Sequence, residues 1–353
     1  MTTPTTSAPL LAVRDLSIDF ITPDRPPAHA VSRVSFTLQP GEAMGLVGES
    51  GCGKTTLSLA LLRLLPPQGR IVNGSVQFNG RELLALAEPE MADIRWRHMA
   101  MIFQGAMNAL NPVVTVGSQI GEAIHRHYPF MSPPEVAARV AELLDMVGIL
   151  GARADQYPHQ YSGGMRQRAM IAMALACSPE IVIADEPTTA LDVMIQAQIL
   201  DLLDNLRRHL GLAVIFVTHD LGVVAELCDK VLVMYGGVTA EYADVDTIYN
   251  SPRHPYTQEL LKAFPDLSKP QAALNSIPGY PPRPDALPTG CRFHPRCPLV
   301  FDRCRTDQPA LLSVSPVWSS QQSSGYAGTA NSKRSGEVRP THLASCHLVE
   351  NDK

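Results

Sequence analysis

The stretch Gly48-Glu49-Ser50-Gly51-Cys52-Gly53-Lys54-Thr55 decides how this chain is read. Its pattern, G-x-x-x-x-G-K-T, is that of a phosphate-binding loop. Glycines let the backbone wrap closely around phosphate with its N–H groups turned inward, and the helix that follows adds the positive end of its dipole. Lys54 is placed to reach the β- and γ-phosphates; Thr55, with Thr56 after it, is placed to hold Mg²⁺ through its hydroxyl. Glu42–Val47, before the loop, reads as a short apolar strand. Lys54–Leu65, after it, reads as a helix ended by Pro66-Pro67. The motif therefore has the strand and helix that its chemistry requires. At average composition the pattern arises by chance in about one per cent of chains this long.

Outward from this loop the first 250 residues read as α/β. Leu11–Phe20 and Val31–Leu38 alternate as half-buried strands. Ile181–Ala184 and Ala213–Val217 are short, fully apolar, β-branched runs, the pattern of buried parallel strands. Met194–Leu210 between them has helical periodicity. Residues 91–177 are mostly helical in pattern apart from a strand at Met99–Phe103, which predicts a helical insertion at about 105–178. The Ile181 strand ends in Asp185-Glu186. Asp185 suits Mg²⁺ binding through water, and Glu186 would point toward an attacking water. Tyr161-Ser162-Gly163-Gly164-Met165 opens another helical pattern and supplies a second anion-binding helix end. Two such ends with one phosphate loop are odd for a self-contained site.

Composition sets the outer bounds. The 353 residues are 45% hydrophobic and 18% charged, enough for a substantial core. The net charge of −5 argues against general nucleic-acid binding, which needs a positive surface. No apolar run approaches the ~18 residues that span a bilayer. Met1–Pro9 lacks the pattern of a secretory signal, so a cytosolic location is expected, with membrane contact through a partner. Residues 1–250 carry 17 basic and 26 acidic side chains, whereas residues 251–353 carry 12 and 8 and are much denser in proline. The shift predicts a domain boundary near Asn250. Ser313–Pro340, rich in Ser, Gly and Gln, reads as a disordered insertion.

With these motifs in hand the chain resembles the ATPase subunits of ABC transporters. The phosphate loop, Gln104 after a strand, Ser162-Gly163-Gly164, Asp185-Glu186, Ala190-Leu191-Asp192 and His219 occur in that family's order over roughly residues 10–250. The resemblance implies a P-loop core of a RecA-like and a helical subdomain, with ATP and Mg²⁺ bound. It implies a head-to-tail dimer in which Ser162-Gly163-Gly164 of one subunit caps the γ-phosphate held by the other. It further implies Glu186 as the residue that polarises water, His219 as a γ-phosphate switch, Gln104 as a Mg²⁺ and coupling residue, and Asp192 as a contact across the dimer. The usual signature has Gln where this chain has Met165, a change that the peptide-importing branch tolerates. No aromatic residue stands at the usual adenine-stacking place; His29 and Phe20 are the candidates.

The C-terminal segment narrows the branch. Ser251–Leu261, with its His-Pro-Tyr-Thr, and Ile277-Pro278-Gly279-Tyr280-Pro281-Pro282 resemble the region that follows the ATPase core in oligopeptide/dipeptide importers. Of the seven cysteines, Cys52 fills a free position of the phosphate loop, and Cys177 and Cys228 read as core. Cys291, Cys297, Cys304 and Cys346 remain. In a cytosolic chain disulfides are disfavoured, and the spacing lacks the C-x₂-C pairs of common zinc sites. One iron–sulfur cluster on these four thiolates fits, with Arg292, Arg296, Arg303 and Arg305 offsetting its charge. The same branch resembles this arrangement in Cys291–Pro298 and Ala344–His347. Zinc and inert thiols are the alternatives.

The function expected is ATP binding and hydrolysis that powers peptide import. Its partners are a second ATPase subunit, two membrane permease subunits and an external solute-binding protein, with no nucleic acid. The same ATPase type serves nickel, glutathione and oligosaccharide uptake. A soluble ABC ATPase acting on DNA or ribosomes is the more distant alternative, since the chain has neither a second phosphate loop nor a long coiled-coil insertion. A nucleotide-sensing adaptor without catalysis is disfavoured by the presence of Glu186 and His219.

Overall fold

A computed structural model describes residues 8–105, 109–189, 191–263, 276–314 and 342–350. Its strands are β1 (Leu11–Phe20), β2 (Ala28–Leu38), β3 (Ala43–Val47), β4 (Gly69–Phe78), β5 (Arg81–Glu82), β6 (Met99–Ile102), β7 (Ile181–Asp185), β8 (Ala213–Thr218), β9 (Lys230–Tyr235), β10 (Val238–Asp244), β11 (Leu312–Ser313) and β12 (Leu343–Ala344). The helices are α1 (Lys54–Leu61), α2 (Glu88–Ile94), α3 (Val116–His127), α4 (Pro133–Met146), α5 (Gly163–Ala174), α6 (Val193–Leu210), α7 (Leu221–Leu227), α8 (Val245–Asn250), α9 (Pro255–Lys262), α10 (Asp302–Thr306) and α11 (His347–Glu350).

Two sheets organise the chain. The larger runs β11-β12-β10-β9-β3-β8-β7-β6, parallel from β9 to β6 and antiparallel at its β10–β12 edge. The smaller is antiparallel, β2-β1-β4-β5. The central strands are apolar throughout because both their faces are covered. Ile181, Ile183, Ile215 and Val217 face the core shared with α1 and the smaller sheet. Their neighbours Val182, Ala184, Val214 and Phe216 face the core shared with α3, α4 and α5. These three helices lie in the 105–178 segment.

The first helix is shorter than the proline pair predicts. It ends at Leu61, and Arg63 turns the chain with a positive φ of 52° while its guanidinium donates to Leu86 O at 2.6 Å. Local backbone geometry, not proline, stops it. Strand β4 has no counterpart in the apolar pattern, because much of Gly69–Phe78 is polar or exposed and its pairing with β1 holds it.

The chain beyond residue 250 is built onto the core. β12 extends the larger sheet by pairing with β10, Glu241 opposite Ala344. The Glu241 carboxylate is fully buried and accepts from the backbone N–H groups of Arg253 and His254, and it pairs with His342 Nε2 at 2.6 Å. Of the segment expected to be disordered, Ser313 lies in β11 and Val314 is buried; residues 315–340 lie outside the described residues.

Helix α7 reaches β3 because Gly45 has no side chain. A Cβ there would meet the Val224 methyls at 2.7 and 3.0 Å. Gly45→Val therefore overpacks this contact and should destabilise the protein by about 1–3 kcal/mol. Denaturant unfolding checks this, and a midpoint equal to that of the parent chain would contradict the packing described.

Candidate functional site

The phosphate loop leaves the buried strand β3 and enters α1 through Gly53, which has φ 104°. Within it the Lys54 side chain turns back on the loop. Its ammonium donates to Gly48 O at 2.6 Å and Glu49 O at 3.1 Å, with Cys52 Sγ at 3.7 Å. Lys54 is 6% exposed, so these carbonyls replace the water that its charge has lost. Cys52 packs beneath the loop, and burial pushes its thiol pKa up despite the nearby Lys54 charge.

Asp185 ends β7 and is buried. Its Oδ1 lies 3.3 Å from the Thr55 hydroxyl, which donates to it. Burial pushes its carboxyl pKa up and the Glu186 charge adds to this, while the Thr55 bond and Lys54 act the other way. Thr55 and Asp185 together form an oxygen pair of the kind that Mg²⁺ prefers. That fit rests on the buried carboxylate having only a hydroxyl and a lysine charge against it.

Glu186 follows with φ 44° and donates its N–H to Val217 O at 2.8 Å. The turn throws its carboxylate off the strand end. There Gln104 Nε2 donates to it at 2.8 Å, the Thr189 hydroxyl at 2.9 Å, and His219 Nδ1 stands at 3.3 Å. Gln104 leaves the end of β6 and His219 the end of β8, so the two parallel strands that flank β7 deliver both partners. Thr189 escaped the sequence reading; its signal would have been its place three residues after Glu186.

Lys54, Thr55, Gln104 and Glu186 from these groups line an open cavity of about 320 Å³. Ser50, Gly51, Gly53, Lys54, Thr55 and Thr56 form its floor, and Gln104 and Glu186 form one wall. Phe20, Ala28, Ala30 and Pro284 form the other end. Of the two adenine-stacking candidates, Phe20 lines the cavity. His29 does not; it pairs with Asp19 at 2.8 Å. Pro284, from the C-terminal segment, is held there by its carbonyl, which accepts from His29 N–H at 2.9 Å.

The second helix end lies elsewhere. Ser162 caps α5, its hydroxyl accepting from Met165 N–H at 3.3 Å. A Cβ on Gly164 would come within 2.8 Å of Ile195 on α6, and one on Gly163 within 3.7 Å of Leu191. Asp192 caps α6 through Ile195 N–H at 3.0 Å. Ser162, Gly163, Gly164 and Asp192 thus form one surface, and none of them lines the cavity.

Cys291, Cys297, Cys304 and Cys346 line a second, small cavity with His254, Phe293, His294 and His347. All four are free thiols. Burial raises the pKa of Cys291, Cys297 and Cys346, the last to about 11, and neighbouring cysteines add to the effect. Among the described residues no group of three or more His, Cys, Asp or Glu stands ready-made around a metal position. The arginines do not surround this cavity as expected. Arg292 donates to Gly236 O and Ser32 Oγ, Arg296 pairs with Glu49, Arg303 pairs with Glu350, and Arg305 is exposed. Each of the first three satisfies a partner outside the cysteine cluster.

Comparison with known proteins agrees with this geometry. The family described as ABC transporter matches residues 31–189, and the one described as oligopeptide/dipeptide transporter, C-terminal region, matches residues 240–304. The oligopeptide transport ATP-binding protein OppD of Salmonella typhimurium is 49% identical over 87% of this chain and 91% of its own. The dipeptide transport ATP-binding protein DppD of Escherichia coli is 47% identical over 86% and 92%. Among solved structures, the dimeric ATP-binding cassette MJ0796 bound to ADP and Pi matches with a TM-score of 0.60 and 27% identity, over 67% of this chain and 98% of its own. On these matches the chain belongs to the ABC-transporter ATP-binding subunits of the oligopeptide/dipeptide type.

Proposed function

We propose that this chain is the ATP-hydrolysing subunit of a peptide importer, working as a dimer against membrane permease subunits that receive peptide from an external solute-binding protein. Its place is then peripheral, on the cytoplasmic face of the membrane; no helix among the described residues is long and apolar enough to cross one. The observation that carries this reading is the convergence of Lys54, Thr55, Gln104 and Glu186 on one cavity, with Asp185 bonded to Thr55 and His219 beside Glu186. Residues 1–250 would form the nucleotide-binding domain and residues 251–353 the C-terminal domain.

The residues act as follows. The N–H groups from Ser50 to Thr56 and the start of α1 receive the phosphates, and Lys54 exchanges its two carbonyl partners for phosphate oxygens. Thr55, Asp185 and Gln104 would hold Mg²⁺, which would supply positive charge to offset that of the phosphates. Phe20 faces the base. Glu186 orients the attacking water and draws on its proton as the bond to the γ-phosphorus forms and ADP leaves. His219 and Gln104, both already on the Glu186 carboxylate, register the γ-phosphate. The Ser162–Gly164 helix end caps the nucleotide of a second subunit, since it does not line the cavity of its own chain.

We assign to Cys291, Cys297, Cys304 and Cys346 a structural [4Fe–4S] cluster, with zinc or no metal as the alternatives. Support comes from four free thiols around one cavity, in a segment whose small core gains from a metal staple.

Glu186→Gln keeps the shape and its bond to Thr189 but removes the charge. Nucleotide binding should persist while turnover in the assembled transporter falls by about 10² or more, the effect of a lost general base. Unchanged steady-state hydrolysis would contradict the role. For the cluster, anaerobically purified chain should be brown and contain iron and sulfide, and Cys297→Ser should lose both. Stoichiometric zinc without iron would replace the assignment with zinc, and absence of metal would leave inert thiols.

A further inference from the structure

Two contacts from the C-terminal segment grip the phosphate loop at a single residue, Glu49. Arg296 makes a bidentate pair with it, Nη1 to Oε2 at 2.6 Å and Nη2 to Oε1 at 3.0 Å. The Arg296 side chain is 5% exposed and fully engaged. Its other hydrogen bonds go to Tyr235 Oη at 3.2 Å, Ile277 O at 3.2 Å and Pro278 O at 2.8 Å. The backbone N–H of Glu49 donates to Tyr256 Oη at 2.9 Å, and Tyr256 is wholly buried against Tyr235 and Phe293. The carbonyls of Glu49 and of Gly48 before it are the ones that hold the Lys54 ammonium. Side chain, N–H and carbonyl of one loop residue are thus fixed from three directions, two of them from beyond residue 250.

We propose that Arg296 and Tyr256 are positioning residues for ATP, holding the first half of the phosphate loop in its receptive shape through Glu49. A glycine-rich loop has much freedom to lose when phosphate binds, and bonds that order it beforehand reduce that loss and so tighten binding. Desolvated bidentate pairs are directional, which suits them to set a backbone position. The C-terminal segment therefore tunes nucleotide affinity without touching the phosphates. The inference rests on the nucleotide-site reading above.

The test is equilibrium binding of a fluorescent ATP analogue with Mg²⁺ to the full chain. Lys54→Ala serves as the reference for the site itself: if it binds like the parent chain, the nucleotide-site reading fails, whatever Arg296 does. With that reference non-binding, Arg296→Ala and Glu49→Ala should each weaken binding about tenfold, and the double variant should be no weaker than either, as for two residues acting through one contact. Tyr256→Phe, which keeps the buried ring, should weaken binding a few-fold. Glu49→Gln should match Glu49→Ala and covers the case in which Arg296→Ala does not fold. In the assembled transporter KM for ATP should rise while kcat holds. Additive losses in the double variant, or parent-like binding by Glu49→Gln and Tyr256→Phe, would overturn the proposal.

Discussion

Everything at the nucleotide end of this molecule depends on how closely the phosphate loop passes its neighbours' backbones. A Cβ on Gly48 would stand 2.2 Å from Met234 O, and one on Gly53 2.4 Å from Ala30 O. Both glycines also have positive φ, 150° and 104°, so a side chain is excluded by torsion as well as by space. The loop is therefore clamped between the ends of β9 and β2. That clamp aims α1 at the cavity, where the end of β6 brings Gln104, while Asp185 at the end of β7 meets Thr55 and His219 at the end of β8 meets Glu186.

Charge at the site is arranged in depth. Lys54 is buried beneath the phosphate position, its ammonium on the Gly48 and Glu49 carbonyls and Cys52 Sγ, and Asp185 is buried nearby with a raised pKa. Both have hydrogen-bond partners, but neither makes an ion pair among the described residues. A triphosphate with its divalent cation supplies what each lacks, which makes this pair a receptor for such a ligand rather than a stabilising element. The C-terminal segment is fastened to the same region by three deep contacts: Glu241 with His342 and the His254 backbone, Gly236 with Arg292, and Glu49 with Arg296. Fold and site share these fastenings, and a change in one is expected to be felt in the other.

The sequence made the centre legible and the periphery not. The strands at Ile181 and Ala213 announced themselves as unbroken apolar runs because both faces are covered. The phosphate loop, Asp185-Glu186 and His219 were readable because their chemistry demands particular residue types at particular strand ends. Strand β4 was not, since its residues are half exposed and only the register with β1 defines it. The four arginines near the cysteines looked like counter-charges, yet Arg296 pairs with a residue 247 positions away, and no local pattern reports a partner at that distance. Phe20 and His29 were equivalent on paper; the Asp19 pair that removes His29 from the cavity depends on the strand pairing of β1 with β2.

The claim that joins these observations is that the phosphate loop of one chain and the Ser162 helix end of another complete a single nucleotide site. The most direct measurement is a structure of the full chain, as Glu186→Gln, with Mg²⁺ and a non-hydrolysable ATP analogue. The account predicts the triphosphate in the cradle Gly48–Thr55, the Lys54 ammonium moved from the Gly48 and Glu49 carbonyls onto phosphate, and Ser162 of a second subunit on the γ-phosphate. An analogue bound away from the loop, or a γ-phosphate capped by Ser162 of the same chain, would contradict it.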